Sequence, residues 1–259
     1  MSETSNAIER ALTILETVAH SERGLTNSEL SRRLKIPKSS ASYILGTLEK
    51  TGYLMRERES GKYRLGLKLM GLTREMLSHI DVREIARPVL EKFVKKTNLS
   101  AHLAVLDNGR AVYVEKIEAA GFVKMDIWVG HRLPVHSTAI GKVLVAGLPE
   151  DEIIGILKLR GMEKKSPKTI TNPARFLKEI KKVRDFGFAI DNEENSTGVR
   201  CVAAPIFDAE GRTVAALGTS STITEINEAA LPRIVEMICH SAGKVSQYMG
   251  FSGKLPKYA

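Results

Sequence analysis

Between residues 38 and 47, Lys38, Ser39, Ser40, Ser42, Tyr43 and Thr47 carry a charge or a hydroxyl. They lie mostly off the apolar stripe formed by Ala41, Ile44, Leu45 and Leu48. A helix divided in this way buries one side and offers the other to a partner. Short hydroxyls let such a helix approach a groove floor closely enough to hydrogen-bond to base edges. Between Ser31 and Arg64, nine basic residues (Arg32, Arg33, Lys35, Lys38, Lys50, Arg56, Arg58, Lys62 and Arg64) stand against three acidic ones. Of these, Arg56, Arg58 and Lys62 suit phosphate or minor-groove contact, and Arg32 belongs to the same positive set. The plainer alternative is a solvated basic surface on a protein-binding domain; charge, motif and position together favour double-stranded DNA.

A second stretch with chemical potential is Leu133-Pro134-Val135-His136-Ser137-Thr138-Ala139-Ile140-Gly141, read as a strand or loop feeding a helix with Ser137 or Thr138 as N-cap. The first amides of a helix have no internal partner, and with the helix dipole they favour an anion, so a small acid can dock there. Taken alone, His136 beside that start reads as a packed or hydrogen-bonded histidine. Cys201, in an apolar strand, reads as a small core residue, and Asp191 is equally well a turn or cap. Cys201 and Cys239 form no C-x-x-C pair. No phosphate-binding glycine loop, metal-ligand spacing or serine-nucleophile elbow occurs, so no cofactor, no metal and no catalytic residue is expected.

The elements that must position these residues follow from pattern. Ile8, Leu12, Leu15 and Val18 mark a first helix. Thr26 with Glu29 makes a capping box for a second, carrying Leu30 and Leu34. Pro37 suits the first turn of the third, and Gly52 suits its end. Two short strands, 53–55 and 62–65, flank a loop over 56–61. Helix-helix-helix-hairpin is a winged helix-turn-helix. Residues 67–80 have helical spacing and are predicted to connect to the second half, their apolar side meeting either another subunit or the chain itself. Asp107-Asn108-Gly109 marks a hairpin between strands 101–106 and 110–117. Further strands are predicted at 122–129, 188–191, 199–207 and 213–220. Helices are predicted at 137–146, 150–157 and 173–186, with a last one reaching about Met249 that Pro232 would kink or delay. The domains expected are residues 1–66, a connecting helix 67–80, and residues 81–259, an α+β whole.

With 259 residues and 43% hydrophobic content the chain has material for two packed domains. A net charge of +9 draws polyanions, nucleic acid first and anionic membrane surfaces second. No apolar run reaches the roughly 20 residues that cross a bilayer, and the opening MSETSNAIER lacks a basic start followed by an apolar stretch. A cytoplasmic protein is expected.

The block GFAIDNEENSTGVRCVAAPIFD, with Gly187, Asp191, Glu194, Cys201, Val202, Ala203, Ile206, Phe207 and Asp208, resembles the signature of the IclR family of transcriptional regulators. LPVHSTAIGKVLVA resembles that family's second characteristic stretch, and the likeness runs from about Ala7 to Gly250. The resemblance implies a GAF-like α/β effector-binding domain, dimerisation through the DNA-binding half, and often a dimer of dimers. It implies an effector pocket including Phe122, Ala139, Ile140, Asp191, Val199, Cys201, Gly218 and Ser220. Gly218 stands where related proteins can carry a serine, so one polar contact is missing. Both blocks are similar to the branch that controls sugar-acid and 2-keto acid catabolism, which implies an effector such as 2-keto-3-deoxygluconate and a catabolic operon under repression.

Two other functions compete. GAF-like domains can carry redox-active cysteines, so Cys201 with His136 can be imagined as thiol and base of an enzyme, although thiol chemistry needs an exposed cysteine in an electropositive site. A winged-helix interaction protein without sequence-specific DNA binding is the other.

Overall fold

A computed structural model of the chain describes residues 7–72, 81–120 and 126–253. The chain divides into two compact units at residues 79 and 80.

In the N-terminal unit, α1 (Ala7–Ala19), α2 (Asn27–Leu34) and α3 (Lys38–Lys50) precede a hairpin of β1 (Leu54–Arg56) and β2 (Tyr63–Leu65). Their apolar stripes converge, with Ile14, Val18, Leu30, Ile44, Leu45, Leu48 and Leu54 in one core. The capping box forms as the residue types require: Thr26 accepts from the Glu29 amide while Glu29 accepts from the Thr26 amide. Pro37 sits just outside α3 as its N-cap. At the other end Gly52, with φ +80°, donates to Glu49 O at 3.0 Å and Tyr53 donates to Leu48 O at 2.9 Å. This Schellman pair stops the helix and turns the chain into the wing. Gly66 is held close behind it: a Cβ there would lie 2.1 Å from Gly52 O. Leu25 bridges Tyr63, adding a third strand position to the hairpin. Residues 68–72 are helical; the remainder of the expected connecting helix, residues 73–80, lies outside the described residues.

The C-terminal unit is built on a six-stranded antiparallel sheet in the order β5-β4-β3-β8-β7-β6. Its strands are β3 (Ala101–Asp107), β4 (Arg110–Ile117), β5 (Arg132–Pro134), β6 (Ala189–Asn192), β7 (Val199–Phe207) and β8 (Thr213–Thr222). The β3–β4 turn uses Asn108 and Gly109 at φ 47° and 69°, the left-handed pair that the sequence signals. Alternation on β7 sends Val202, Ala204 and Ile206 to one side, where α4 (Asp81–Thr97) and α8 (Leu231–Tyr248) cover them. Ala203 and Cys201 go to the other side, with α5 (Ala139–Ala146) and α7 (Pro173–Phe186). On that side α6 (Glu150–Arg160) packs through Ile153 and Leu157 against Phe176 and Ile180. Pro232 falls at the first turn of α8, so it delays the helix rather than kinking it.

One expected strand is not found where it is described. Residues 122–125 lie outside the described residues, and 126–129 form no strand. Instead the His131 amide donates to Trp128 O at 3.0 Å around Gly130 (φ 92°), and the Trp128 and His131 rings stack 3.9 Å apart. The apolar residues there build a turn beside β5 instead of a ladder.

Candidate functional site

The α3 division seen in the sequence holds in three dimensions. Ala41, Ile44, Leu45 and Leu48 are buried, while Lys38, Ser39, Ser42, Tyr43 and Thr47 are exposed and Ser40 is half-buried. Tyr43, at 77% exposed, is the large hydrophobic side chain that this helix leaves in solvent. Arg32, Arg56 and Arg58 are exposed and Lys62 is half-buried; none of the four forms an ion pair among the described residues. Arg56 lies over the Tyr63 ring, 5.6 Å from its centroid, which fixes the root of the wing. Within its own unit, then, most of these side chains are exposed, with Ser40 and Lys62 partly covered and Arg56 packed on Tyr63.

In the C-terminal unit a cavity of about 250 Å³ opens between the start of α5 and the sheet. Thr138, Ala139, Ile140, Asp191, Val199, Cys201 and Ser220 line it. Thr138 is the N-cap: its hydroxyl accepts from the Gly141 amide at 3.1 Å and donates to Pro134 O at 2.8 Å. The Gly141 and Lys142 amides are thereby used, and those of Ala139 and Ile140 have no partner among the described residues. These are the orphan donors of a helix start, and they belong to residues of the cavity wall.

Asp191 enters from β6 and is 1% exposed. Its Oδ1 accepts from the Glu194 amide at 2.6 Å and the Asn195 amide at 3.2 Å. Its Oδ2 is buried and has no hydrogen-bond partner of normal geometry, the Cys201 thiol being near enough to interact with the carboxylate without satisfying it. Burial raises the Asp191 pKa to about 6, against the opposing pull of those two amides. Cys201 sits opposite Asp191 in the β6–β7 register and opposite Ser220 in β7–β8, which brings all three side chains to one floor.

Gly218 is not part of the cavity wall. A Cβ at Gly218 would lie 2.8 Å from both Cγ1 and Cδ1 of Ile140, so a serine there would meet that side chain instead of open space. Phe122 lies outside the described residues. Sequence reasoning did not name Tyr113, His131, Asn195 or Thr219, which also line the cavity. Asn195 lies inside the DNEEN block and His131 two residues before LPVHSTAIG, so proximity to those blocks was a usable signal for both. Tyr113 and Thr219 come from strands whose register no local pattern gives.

The thiol-enzyme reading fails on chemistry. Burial, then the Asp191 charge, push the Cys201 thiol well up, so it stays protonated and a poor nucleophile. Cys239 packs on the opposite side of the sheet. His136 is buried, its Nε2 3.0 Å from Glu163 O, and burial lowers its pKa. Among the described residues no group of three or more His, Cys, Asp and Glu could hold a metal ion. No helix of the described residues is long and apolar enough to cross a membrane.

Comparison with known proteins bears on both sites. Residues 7–58 match the family described as the IclR helix-turn-helix domain, and residues 74–247 match the bacterial transcriptional regulator IclR C-terminal family. The HTH-type transcriptional regulator XynR of Escherichia coli K12 is 35% identical over 245 residues, covering 95% of this chain and 97% of that protein. The HTH-type transcriptional regulator KdgR of the same strain is 36% identical over 230 residues, covering 89% and 88%. Among solved structures, an IclR homolog from Microbacterium hydrocarbonoxydans complexed with 4-hydroxybenzoate superposes with a TM-score of 0.80 at 25% identity, covering 94% of this chain and 99% of that one.

Proposed function

The chain belongs to the IclR family of transcriptional regulators, and from that premise we propose that it represses a catabolic operon and releases it in response to a small organic acid. Membership makes it a DNA-binding regulator with a small-molecule effector and not an enzyme.

The observation that carries the effector assignment is Asp191 Oδ2, a buried carboxylate oxygen without a partner on the wall of the same cavity as two orphan helix amides. An unpaired buried acceptor costs about 1–3 kcal/mol, which a ligand hydroxyl would recover. The effector is therefore an acid that also carries a hydroxyl: its carboxylate takes the Ala139 and Ile140 amides, its hydroxyl donates to Asp191, and Ser220 donates to it. Similarity to KdgR and XynR supports a 2-keto-3-deoxygluconate-like sugar acid. The 4-hydroxybenzoate complex of a homolog supports a hydroxy acid as the class.

The α3 face, with Lys38, Ser39, Ser40, Ser42, Tyr43 and Thr47, enters the major groove, and the wing's Arg56, Arg58 and Lys62 with Arg32 hold phosphates. Ile8 and Leu12, 71% and 56% exposed on one side of α1, support dimerisation through this half. The C-terminal halves then pair as a dimer of dimers. Two recognition helices on a two-fold axis read a near-palindromic operator with half-sites about one helical turn, or a multiple, apart. The bound acid shifts operator affinity through the connecting segment 67–80, which requires it to prefer one conformation of the dimer. The protein acts in the cytoplasm.

Calorimetry with 2-keto-3-deoxygluconate and a panel of keto and sugar acids tests the effector, and heat from none of them removes it. Retardation of the protein's own promoter fragment should resist competition by random duplex. Equal affinity for any duplex would point to an architectural role.

A further inference from the structure

Lys142 is among the largest fully buried side chains of the described residues, and unlike the apolar ones it ends in an amine. It lies on α5 three residues beyond Ala139, so the helix that presents the orphan amides also carries this cation inward. Its Nζ donates to Glu194 Oε1 at 2.5 Å and to Ile190 O at 2.9 Å, with Glu179 Oε1 at 4.0 Å. Glu194 in turn donates its amide to Asp191 Oδ1, and the Asn195 amide lands on the same oxygen. Both bonds fall on one oxygen, so the other is the one left for the cavity. The surrounding loop is pinned from outside as well: Ser137 donates to Asn195 Oδ1, Ser166 to Glu193 O and Thr169 to Glu194 O.

We infer that Lys142 and Glu194 are positioning residues for the acid-binding cavity: their buried ion pair ties the helix start that holds the ligand carboxylate to the loop that aims Asp191 Oδ2. The inference rests on the acid-binding reading above. A buried ion pair is a poor stabiliser, because removing two charges from water costs about as much as their attraction returns, and packed apolar residues serve a core as well or better. Here the pair spans the two elements whose separation sets the ligand's fit. Three of Glu194's polar groups are spent on holding that geometry: its amide on Asp191, its carbonyl on Thr169 and its Oε1 on Lys142. The charged and titratable groups facing Asp191 are Glu194, Lys142, Cys201 and Tyr113, with Glu179 beyond Lys142.

Two variants of the full-length protein test this. Glu194→Gln keeps the shape and the acceptor for Lys142 but removes the like charge nearest Asp191. In the effector-free protein, carboxyl NMR should show the Asp191 midpoint fall below its starting value near 6, and the pH profile of acid binding should move down with it. Lys142→Met/Glu194→Met replaces the pair with apolar residues. It should keep the thermal midpoint while binding of 2-keto-3-deoxygluconate falls about tenfold, the scale on which residues behind a ligating side chain act in metal sites. In that variant the amide proton of position 194 should stop following the Asp191 titration. Wild-type affinity in the double variant, or an Asp191 midpoint unmoved in Glu194→Gln, overturns the inference. Should the double variant not fold, Glu194→Gln decides. If the wild type binds none of the acids, the effector assignment fails, and the ligand-free titration still decides the positioning role.

Discussion

The α3 face and the α5 cavity both present unpaired polar groups, but in opposite surroundings. On α3 the Thr47 hydroxyl donates to Tyr43 O at 3.0 Å, and the exposed groups without a partner in the chain stand in water, which satisfies them at no cost to the fold. In the cavity Asp191 Oδ2 and two helix amides are unpaired where protein has replaced water, and the fold carries that cost until a ligand arrives. The difference teaches that the two kinds of recognition are stabilised at different moments. A DNA face gains at contact, from phosphates and base edges. A preformed pocket with unpaired polar groups is destabilising beforehand and gains by relief.

The comparison breaks most visibly at Asp191. Its folded pKa, about 6, lies above the ordinary 3.8, so the folded chain holds the proton more tightly than the unfolded chain does. Stability therefore falls as pH rises through the window from 3.8 to 6, and the full penalty stands above it. At about 1.4 kcal/mol per unit this amounts to up to about 3 kcal/mol. Asp191→Asn should thus be more stable than wild type at pH 7.5 by up to that amount, and no different below pH 4. At the same time it should lose most of its acid affinity. Urea melts at the two pH values measure it. A variant less stable than wild type at pH 7.5 would mean that Asp191 is a structural group and that the cavity carries no stored cost.

Gly218 sharpens the same side of the comparison. Since a Cβ there meets Ile140 at 2.8 Å, Gly218→Ser should cost about 1–3 kcal/mol by overpacking and should weaken acid binding by displacing the α5 start. Tighter binding with unchanged stability would show that the position does reach the ligand. On the DNA side, Tyr43→Ala should cost about 1–2 kcal/mol of operator affinity while changing stability by less than about 0.5 kcal/mol, since the side chain covers nothing. A large drop in melting temperature would contradict the account of an uncovered face.

The α3 face was legible in the sequence because one helix carries all of it: period, cap, stop and polar side are local properties of residues 37–52. The Asn108-Gly109 turn and the Thr26–Glu29 box were legible for the same reason. The cavity was legible only in pieces. Thr138 as a cap could be read from its neighbours, but Tyr113, Cys201 and Ser220 meet through a strand order of β4-β3-β8-β7 that no window of sequence contains. Lys142 was the hardest to read. A lysine inside GKVLVA looks like an exposed helix position, and only its partner Glu194, 52 residues on, explains its burial. Trp128 shows the converse error, an apolar residue that suggested a strand and is used in a turn stacked on His131.

The smallest effect belongs to the wing, and it separates positioning contacts from reading contacts. Arg58 is exposed and forms no ion pair among the described residues, and Lys62, half-buried, likewise has none, so neither must break an ion pair to meet a phosphate. Each phosphate neutralised on duplex DNA releases about 0.9 of a counterion, so each lost contact lowers the slope of log affinity against log salt by about one. Arg58→Ala and Lys62→Ala should each weaken operator and random duplex alike, by less than about 1 kcal/mol at moderate salt, and each should reduce that slope by about one. Tyr43→Ala should leave the slope as it is. Should Arg58→Ala change operator affinity while leaving random duplex and the salt slope untouched, the wing reads sequence instead of holding the backbone, and the division of labour between α3 and the wing would have to be redrawn.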